Sequence, residues 1–318
     1  MRFISFRPRR WTISTLALIS CLVPGASGLR AGQAPSLGPD PLTVMTFNIR
    51  YGTAEDGRDH WNARRGMLLE LLRQQDADVI GLQEALGFQI QQIVAALRGY
   101  AVTGVGRDDG KAAGEYAAIL FKKERLRLAE AGTFWFSDTP GLVGSRSWGN
   151  RIPRICTWAR FVDRDGSAFW AYNLHLDHES QPSRERSTAL LAQRIEARPF
   201  PEEAVLVTGD FNAGEDNPAF RQLLADAVPS GSPAAPGLLD TFRALHRDAR
   251  EVGTFTGFAF GRTSGPKIDH VLASPGTEVL SAAILRFSRG RRYPSDHFPV
   301  VARLRLRGAA APHAPAAP

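Results

Sequence analysis

Short apolar runs alternate with segments of helical periodicity between residues 42 and 307. Most of the runs have the length and the β-branched or aromatic content of strands. Longer segments with apolar residues three or four positions apart are typical of amphipathic helices. Because the helices are few and irregularly placed, the pattern predicts a mixed α/β domain, with sheets packed together and helices outside, rather than a regular βαβ alternation. The predicted helices are residues 60–75, 87–98 and 183–197.

Polar groups end several of the strand-like runs. The run AVLVTGDFN ends in Asp210 and Asn212, although a strand that only fills a core needs neither a carboxylate nor an amide at its end. Six runs share this property. If their ends meet at one edge of the sheets, acids, amides and imidazoles form a single cluster. The residues concerned are Asn48, Glu84, His175, His178, Asp210, Asn212, Asp269, Asp296 and His297.

Such a cluster suits metal-assisted hydrolysis of a phosphate ester. Carboxylate and amide oxygens are ligands for Mg²⁺ or Mn²⁺. Histidines beside acids transfer protons or stabilise negative charge on a phosphoryl oxygen. The sequence contains no H-E-x-x-H zinc motif, no G-x-S-x-G nucleophile motif and no P-loop. It therefore favours a metal-dependent hydrolase over these other classes.

Each candidate also has a structural interpretation. Asp210 and Asn212 could form an Asx turn that closes a strand. Glu84 could cap the helix that begins near Leu86, and a histidine could be satisfied within the core. The coincidence of several such residues favours a functional site over these alternatives.

Further residues are candidates for contacts with the substrate. Arg154, His178 and Arg184 could contact phosphate, since arginine recognises it through two parallel hydrogen bonds. Arg184 could equally lie on a solvated helix face, and Tyr116 could equally be a packed strand aromatic. Cys156 lies in an apolar run, which predicts an inert core residue.

The composition is that of an ordinary globular protein, with 43% hydrophobic and 22% charged residues among 318. The net charge is +7, but residues 1–28 contain four arginines and no acidic residue. The rest of the chain therefore carries only a small positive charge. Charge alone is weak evidence for nucleic-acid binding.

The N-terminal segment predicts export. Residues 1–28 combine a basic stretch, an apolar run too short to span a bilayer, and small residues, with cleavage expected after Gly28. The sequence LISC also resembles a bacterial lipobox, which would make Cys21 a lipidated first residue. The protein is expected to be periplasmic or secreted, or anchored to a membrane through Cys21.

The rest of the chain divides into three parts. Residues 29–41 are predicted to be a linker and residues 42–307 to be one folded domain, since no repeat or composition break divides them. Residues 308–318 are rich in Ala and Pro, which predicts a disordered tail.

Seven short motifs follow one another in the order found in a known family. Together they resemble the endonuclease/exonuclease/phosphatase superfamily, and the match runs from about residue 43 to residue 306. Its middle part is most similar to the nocturnin-like branch and to exported bacterial relatives. The resemblance implies a four-layered α/β sandwich of two mixed β-sheets flanked by helices, with the site where the loops of both sheets converge. The motifs are TFNIR, IGLQE, GEYAAILF, HLDH, GDFNA, KIDHV and YPSDHFPV.

The resemblance also implies how a metal ion and the attacking water are held. Glu84 would be the principal metal ligand, with Asn48 and Asp296 nearby. Asp210 would orient or deprotonate the attacking water. Asn212 would hold the phosphate or that water.

Two histidines would face the phosphate from opposite sides. By the same resemblance, His297 would contact the scissile phosphate and be oriented by Asp269. His175 would contact it from the other side, with Glu115 of the GEY motif as its acidic partner. An imidazole needs such a second group to fix its tautomer.

Taken together, the sequence predicts an exported, Mg²⁺- or Mn²⁺-dependent phosphoester hydrolase. A nuclease-like phosphodiesterase is favoured, with nucleic acid among the candidate substrates. The alternatives are an enzyme that acts on inositol phosphates, sugar phosphates or phospholipid head groups, and a non-catalytic phosphate-binding surface protein. No stable protein partner is implied, and a monomer is expected.

Overall fold

The computed structural model describes residues 40–224 and 236–307. The predicted export signal, including Cys21, therefore lies outside the described residues. The same is true of the predicted linker up to residue 39 and of the predicted tail, residues 308–318.

The strand-like runs of the sequence form strands, and three helical segments form the long helices. The strands are β1 (Leu42–Asn48), β2 (Val79–Ala85), β3 (Tyr100–Thr103), β4 (Tyr116–Lys122), β5 (Leu126–Trp135), β6 (Ile155–Asp163), β7 (Ala168–His175), β8 (Ala204–Asp210), β9 (Leu239–Asp240), β10 (Asp269–Ala273), β11 (Glu278–Ile284) and β12 (Val300–Arg305). The helices are α1 (Trp61–Gln75), α2 (Gly87–Ala96), α3 (Gln181–Glu196), α4 (Pro218–Arg221) and α5 (Thr241–Leu245), with a 3₁₀ turn at Gly57–Asp59. The three predicted helices are thus confirmed to within two residues at each end.

The strands make two mixed sheets. The order is β11-β12-β1-β2-β4-β3 in the first sheet and β5-β6-β7-β8-β10-β9 in the second. The β1/β2 and β7/β8 pairs are parallel, and the other neighbours are antiparallel. The predicted fold class, two mixed sheets with helices, is confirmed.

Apolar side chains on alternate strand positions fill three layers of core. The inner cluster contains Val44 of β1 and Leu206 of β8, and so joins the two sheets. On the outer face of the first sheet, α1 contributes Leu68 and Leu71. On the outer face of the second sheet, α3 contributes Leu191. Because successive strand residues point to opposite faces, each sheet is buried on both sides, as in a four-layered sandwich.

A buried polar network crosses the space between the sheets. Asn173 of β7 donates to the carbonyl oxygens of Leu82 and Ala118 across 2.9 Å, and its Oδ1 accepts from Gln83 at 2.7 Å. Thr208 of β8 also donates to that oxygen, at 3.0 Å. Since an unpaired buried amide is costly, these bonds favour one relative position of the sheets.

Strand register brings the polar strand ends of the second sheet into one row. His175 is opposite Asp210 in the parallel β7/β8 pair, and Asp210 is opposite Asp269 in the antiparallel β8/β10 pair. Three residues that are far apart in the sequence thus lie side by side.

Among the helices in the described residues, none combines the length and apolar character that a membrane span requires.

Candidate active site

A pocket of about 680 Å³ opens where the ends of strands from both sheets meet. Its lining includes most of the residues that the sequence singled out. They are Glu84, Glu115, Arg154, His175, His178, Asp210, Asn212, Asp296 and His297. The predicted convergence of polar strand ends is therefore observed as a single pocket.

Asp210 lies at the centre of this pocket and is 1% exposed. Its Oδ2 accepts a hydrogen bond from Asn48 Nδ2 at 2.9 Å and lies 3.6 Å from His175 Nε2 and 3.8 Å from His297 Nε2. Burial raises the pKa of Asp210 to about 7, and the charge of Asp269 adds to the effect. A carboxylate with this pKa can accept a proton near neutral pH.

His297 forms a buried pair with Asp269. Its Nδ1 lies 2.9 Å from Asp269 Oδ2. Burial lowers the pKa of His297, but the carboxylates of Asp269 and Asp210 outweigh burial and raise that pKa well above its ordinary value. The ring is therefore a cation, and it can donate from Nε2 to negative charge in the pocket.

His175, in contrast, is neutral. Burial, together with the charges of Arg154 and Arg107, lowers the pKa of His175 well below its ordinary value, so the ring is neutral. The Asn212 amide Nδ2 lies 3.1 Å from His175 Nε2 and donates to it. Because Nε2 accepts, Nδ1 carries the proton of this ring.

Glu115 is paired with an arginine that the sequence did not indicate. Its carboxylate accepts two hydrogen bonds from Arg107, at 2.7 and 2.9 Å, and lies 4.0 Å from His175 Nδ1. Burial raises the pKa of Glu115, although the charge of Arg107 opposes this change. The predicted partner of His175 is thus held mainly by Arg107, which also lines the pocket.

Arg154 is a buried cation at the side of the pocket, 2% exposed. Its Nε lies 3.3 Å from Asp177 Oδ2, and its Nη2 lies 2.7 Å from His178 Nδ1. Its Nη1 is buried and has no hydrogen-bond partner among the described residues. Burial, with the nearby charge of Arg107, lowers the pKa of Arg154. An incompletely neutralised arginine at this place favours an anionic ligand.

Glu84 is presented to the pocket by an irregularity in β2. Its backbone φ is +58°, and the β2/β4 register shifts between Leu82 and Ala85. Its Oε1 accepts from Asn48 Nδ2 at 3.0 Å, and its Oε2 accepts from the Tyr51 amide at 3.1 Å. Bulges near active sites commonly re-aim a side chain.

Glu84 and Asp296 fit a divalent cation. Both carboxylates line the pocket. Burial raises the pKa of Asp296, and the nearby charge of Glu84 raises it further, although the charge of His297 opposes the change. Two carboxylates that line one pocket and repel each other offer hard oxygen ligands, and a bound cation would relieve that repulsion.

A second group in the described residues could also hold a metal ion. Ligand atoms of Asp210, Asp269 and His297 lie within 4.8 Å of one another. One oxygen of Asp269, Oδ1, is buried without a hydrogen-bond partner among the described residues. Mg²⁺ is a hard cation that prefers oxygen ligands, so the all-oxygen pair of Glu84 and Asp296 suits it better than a group that includes an imidazole.

Asn48 contacts other residues of the site but does not itself line the pocket. Its amide nitrogen donates to both Glu84 and Asp210, and its Oδ1 accepts from the Arg50 amide at 3.0 Å. Asn48 therefore positions Glu84 and Asp210. Its Oδ1 accepts one hydrogen bond and keeps a second lone pair, so its predicted contact with a metal stays a prediction.

Two of the predicted substrate contacts lie elsewhere. Arg184 Nη1 donates to the carbonyl oxygen of Asp177 at 2.8 Å, and its other guanidinium nitrogens bond to Gln181, so it closes the first turn of α3. The Tyr116 hydroxyl donates to the Lys111 carbonyl at 2.9 Å. Neither side chain lines the pocket.

Further side chains of the pocket were not indicated by the sequence, among them Arg50, Phe255 and Phe258. Arg50 pairs with Asp56 at 2.9 Å and lies 3.9 Å from Asp296. Phe255 is 39% exposed, and its ring centroid lies 5.1 Å from that of His297. Only the position of Arg50 in the TFNIR motif could have indicated it. An isolated Phe in a loop carries no such signal.

Comparisons with known proteins agree with this geometry. The sequence model of the Endonuclease/Exonuclease/phosphatase family matches residues 45–297. A mannosyl-6-phosphatase from Bacteroides thetaiotaomicron is 32% identical, with 83% of this chain and 99% of that chain covered and a TM-score of 0.72. An endonuclease/exonuclease/phosphatase from Bacteroides vulgatus is 30% identical, with 85% of this chain and 100% of that chain covered and a TM-score of 0.74.

The fold also matches a more distant structure. The human nocturnin catalytic domain with bound sulfate is 19% identical, with 83% of this chain and 94% of that domain covered and a TM-score of 0.65, which shows the fold alone. No curated protein matches the chain. The family match includes the strand ends that line the pocket, from Glu84 to His297. The chain therefore belongs to the endonuclease/exonuclease/phosphatase family and is a phosphoester hydrolase.

Proposed function

We propose that the protein is an exported, Mg²⁺-dependent phosphatase that hydrolyses phosphate monoesters of sugars. The observation that carries the proposal is one pocket in which a base, Asp210, faces two cations, His297 and Arg154. A dianionic phosphate needs cations, and its hydrolysis needs a base for water.

The metal would be held by Glu84 and Asp296, with Asn48 fixing the orientation of Glu84. Mg²⁺ bound there would neutralise negative charge on a phosphoryl oxygen. Burial raises the pKa of Asp296, which must be ionised to hold the ion, so binding should strengthen as pH rises.

The chain's own residues then supply proton transfer and orientation. As the attacking water forms its bond to phosphorus and the bond from phosphorus to the sugar oxygen breaks, Asp210, whose pKa is about 7, takes a proton from the water. The leaving alkoxide takes up a proton from solvent. The His297 cation donates from Nε2 to a phosphoryl oxygen, and Asp269 stabilises its charge and holds the ring through Nδ1. On the other side, neutral His175 is fixed by Asn212 and by the Arg107–Glu115 pair.

Two observations support a sugar as the alcohol. Phe255 and Phe258 line the pocket beside His297, and the C–H faces of a sugar ring pack well on aromatic rings. The Bacteroides mannosyl-6-phosphatase is 32% identical over nearly its whole length, whereas the nocturnin domain is only 19% identical.

The sequence favoured a nuclease-like phosphodiesterase, and that prediction stays open to the same assay. The full-length chain is incubated with Mg²⁺ or Mn²⁺ and mannose 6-phosphate, glucose 6-phosphate, inositol phosphates, a chromogenic phosphodiester, single-stranded DNA, RNA or sphingomyelin. Fastest turnover of a sugar phosphate, abolished by EDTA, supports the proposal. If a diester is hydrolysed fastest, the phosphodiesterase prediction is supported instead. If no substrate is hydrolysed, the non-catalytic alternative is favoured.

Matched variants separate catalysis from folding. Asp210→Asn should abolish turnover, whereas Asp216→Asn, which removes an exposed carboxylate, should not. Likewise Arg154→Ala should raise KM or lower kcat, whereas Arg184→Ala changes an arginine outside the pocket and should leave both nearly unchanged.

Export rests on the composition of residues 1–28. Mass spectrometry of the protein purified from a secreting bacterial host tests it. A mature N-terminus at residue 29 supports a soluble exported enzyme, and an acylated Cys21 supports a membrane anchor. An intact N-terminus in the cytoplasmic fraction would contradict export.

A further inference from the structure

A second depression of about 500 Å³ lies beside the catalytic pocket. We call it the arginine shelf, and its lining residues are Arg58, Asp59, Phe258, Phe260, Gly290 and Arg291. Phe258 also lines the catalytic pocket, so the two spaces share a wall. A substrate whose phosphate is at Asp210 could therefore reach the shelf with its remote end.

The shelf carries excess positive charge. Arg58 and Arg291 are exposed, and the single carboxylate of the lining, Asp59, is shared between two arginines. Asp59 Oδ1 lies 3.2 Å from Arg292 Nε, and Asp59 Oδ2 lies 3.7 Å from Arg58 Nε. One carboxylate does not neutralise these cations, so the depression attracts anions.

Arg291 differs from its neighbours in the same hairpin. Within the described residues it has no carboxylate within ion-pair distance, whereas the three other arginines of residues 286–292 each have one. Those pairs are Arg286 with Glu251, Arg289 with Glu70 and Arg292 with Asp59.

Two residues of the shelf occupy strained backbone positions. Phe258 has φ +64° and Arg291 has φ +59°, and each follows a glycine that also has positive φ. Each is the third residue of a tight turn, closed by Ala259 N to Thr256 O and by Arg292 N to Arg289 O, both at 3.1 Å. Glycine is favoured at that position of such turns. The fold thus keeps two side chains, both lining the same depression, where glycine would be less strained.

The Arg291 guanidinium is held without using up its donors. It lies 4.9 Å above the Phe260 ring, and Phe260 in turn stacks on Tyr293 at 5.5 Å. The Tyr293 hydroxyl accepts from the Gly261 amide at 2.9 Å, which anchors the stack. Stacking on an aromatic face leaves the N–H edge of a guanidinium available for an anion.

We propose that the arginine shelf binds a second phosphate of the substrate, covalently linked to the alcohol whose phosphate ester is cleaved at Asp210. The proposal rests on the proposed function, because it concerns the substrate of the same site. The second phosphate could belong to the same sugar, as in a sugar bisphosphate, or to the next unit of a short nucleotide.

The test compares matched substrates with one and two phosphates. For the full-length protein with Mg²⁺, kcat/KM is measured for glucose 1,6-bisphosphate against glucose 6-phosphate, and for the dinucleotide pdTpdT against thymidine 5′-monophosphate. The bisphosphate or the dinucleotide should be preferred by about tenfold over its partner, the effect of one charge-assisted hydrogen-bonded contact. The substrate pair that shows the preference identifies whether the second phosphate belongs to a sugar or to a nucleotide.

Arg291→Gly is the decisive variant because it removes the guanidinium and relieves the backbone strain together. The variant should be at least as stable as the wild type in thermal melts, yet lose most of the preference, with kcat/KM for the monophosphate unchanged. Arg58→Ala should weaken the preference as well. Arg289→Ala, in the same turn but outside the shelf, should keep it.

The outcomes separate the two proposals. Equal preference in the wild type and in Arg291→Gly, with normal monophosphate turnover, would overturn the shelf and leave the proposed function intact. If no phosphate ester is turned over, the proposed function fails. Phosphate binding at the arginine shelf is then tested by calorimetry with glucose 1,6-bisphosphate. Its affinity must fall about tenfold in Arg291→Gly and must not change in Arg289→Ala.

Discussion

Asp269 Oδ2 lies 2.9 Å from Nδ1 of His297, and both side chains are buried. The pair joins β10 to the segment before β12, so it also connects the two sheets at the pocket. The charge of Asp269, followed by that of Asp210, raises the pKa of His297 and keeps it a cation despite its burial.

Asp269→Asn should therefore lower kcat by about a hundredfold or more, because His297 loses the carboxylate that stabilises its charge. Steady-state kinetics on the best substrate checks this. Circular dichroism should show an unchanged fold. A kcat within a factor of two of the wild type would show that His297 does not act as a cation.

The stability of the metal-free protein should depend on Asp210. The pKa of this carboxyl is about 7 in the folded chain and near 3.8 when unfolded, so between these values the folded state binds more protons. The stability contributed by Asp210 is thus fully present at low pH and is lost as pH rises toward 8.

Asp210→Asn removes this titration. In the presence of EDTA, the variant should gain stability relative to the wild type between pH 5 and pH 8, as urea unfolding measures. A stability difference that is independent of pH, or that falls with pH, would show that Asp210 has an ordinary pKa.

The Arg107–Glu115 pair should be important for stability as well as for His175. Arg107→Ala leaves Glu115 half-buried without its partner, and breaking such a pair costs about 3 kcal/mol. The double variant Arg107→Ala/Glu115→Ala should recover part of this loss. Denaturant unfolding of both single variants and the double variant gives the coupling energy, and strict additivity would contradict the pairing.

Close approach of the sheets predicts opposite effects at two glycines. A Cβ at Gly81 would lie 2.2 Å from Thr208 Oγ1 and 2.4 Å from Asn173 Oδ1, within the polar network between the sheets. Gly81→Ala should therefore destabilise strongly. Gly66→Ala, in α1 with nothing within 4 Å, should stabilise by about 0.5–1 kcal/mol. Thermal melts of the two variants test both predictions. Similar melting temperatures would argue against the close contact of the sheets at Gly81.

The sequence predicted most of the strands and the three long helices, because these depend on local patterns. The continuous apolar run of residues 204–207 identifies β8, and the polar end of that strand identifies Asp210. Strand register then places Asp210 beside His175 and Asp269, as the shared polar ends suggested.

Residues whose role depends on loop paths could not be predicted. Arg107 reaches Glu115 only because the loop between β3 and β4 folds back on itself, and Arg184 turns toward Gln181 instead of the pocket. Arg291 belongs to a basic stretch whose members look alike in sequence. Only the structure separates it from its paired neighbours.

Hydrolysis in the pocket around Asp210 should require a divalent cation at Glu84. The most direct measurement is phosphate release from mannose 6-phosphate as a function of Mg²⁺ concentration, for the wild type and Glu84→Gln. We expect no release in EDTA, saturation by Mg²⁺ for the wild type, and a requirement for at least tenfold more Mg²⁺ in Glu84→Gln. Release that persists in EDTA, or an identical Mg²⁺ dependence in both proteins, would contradict this expectation.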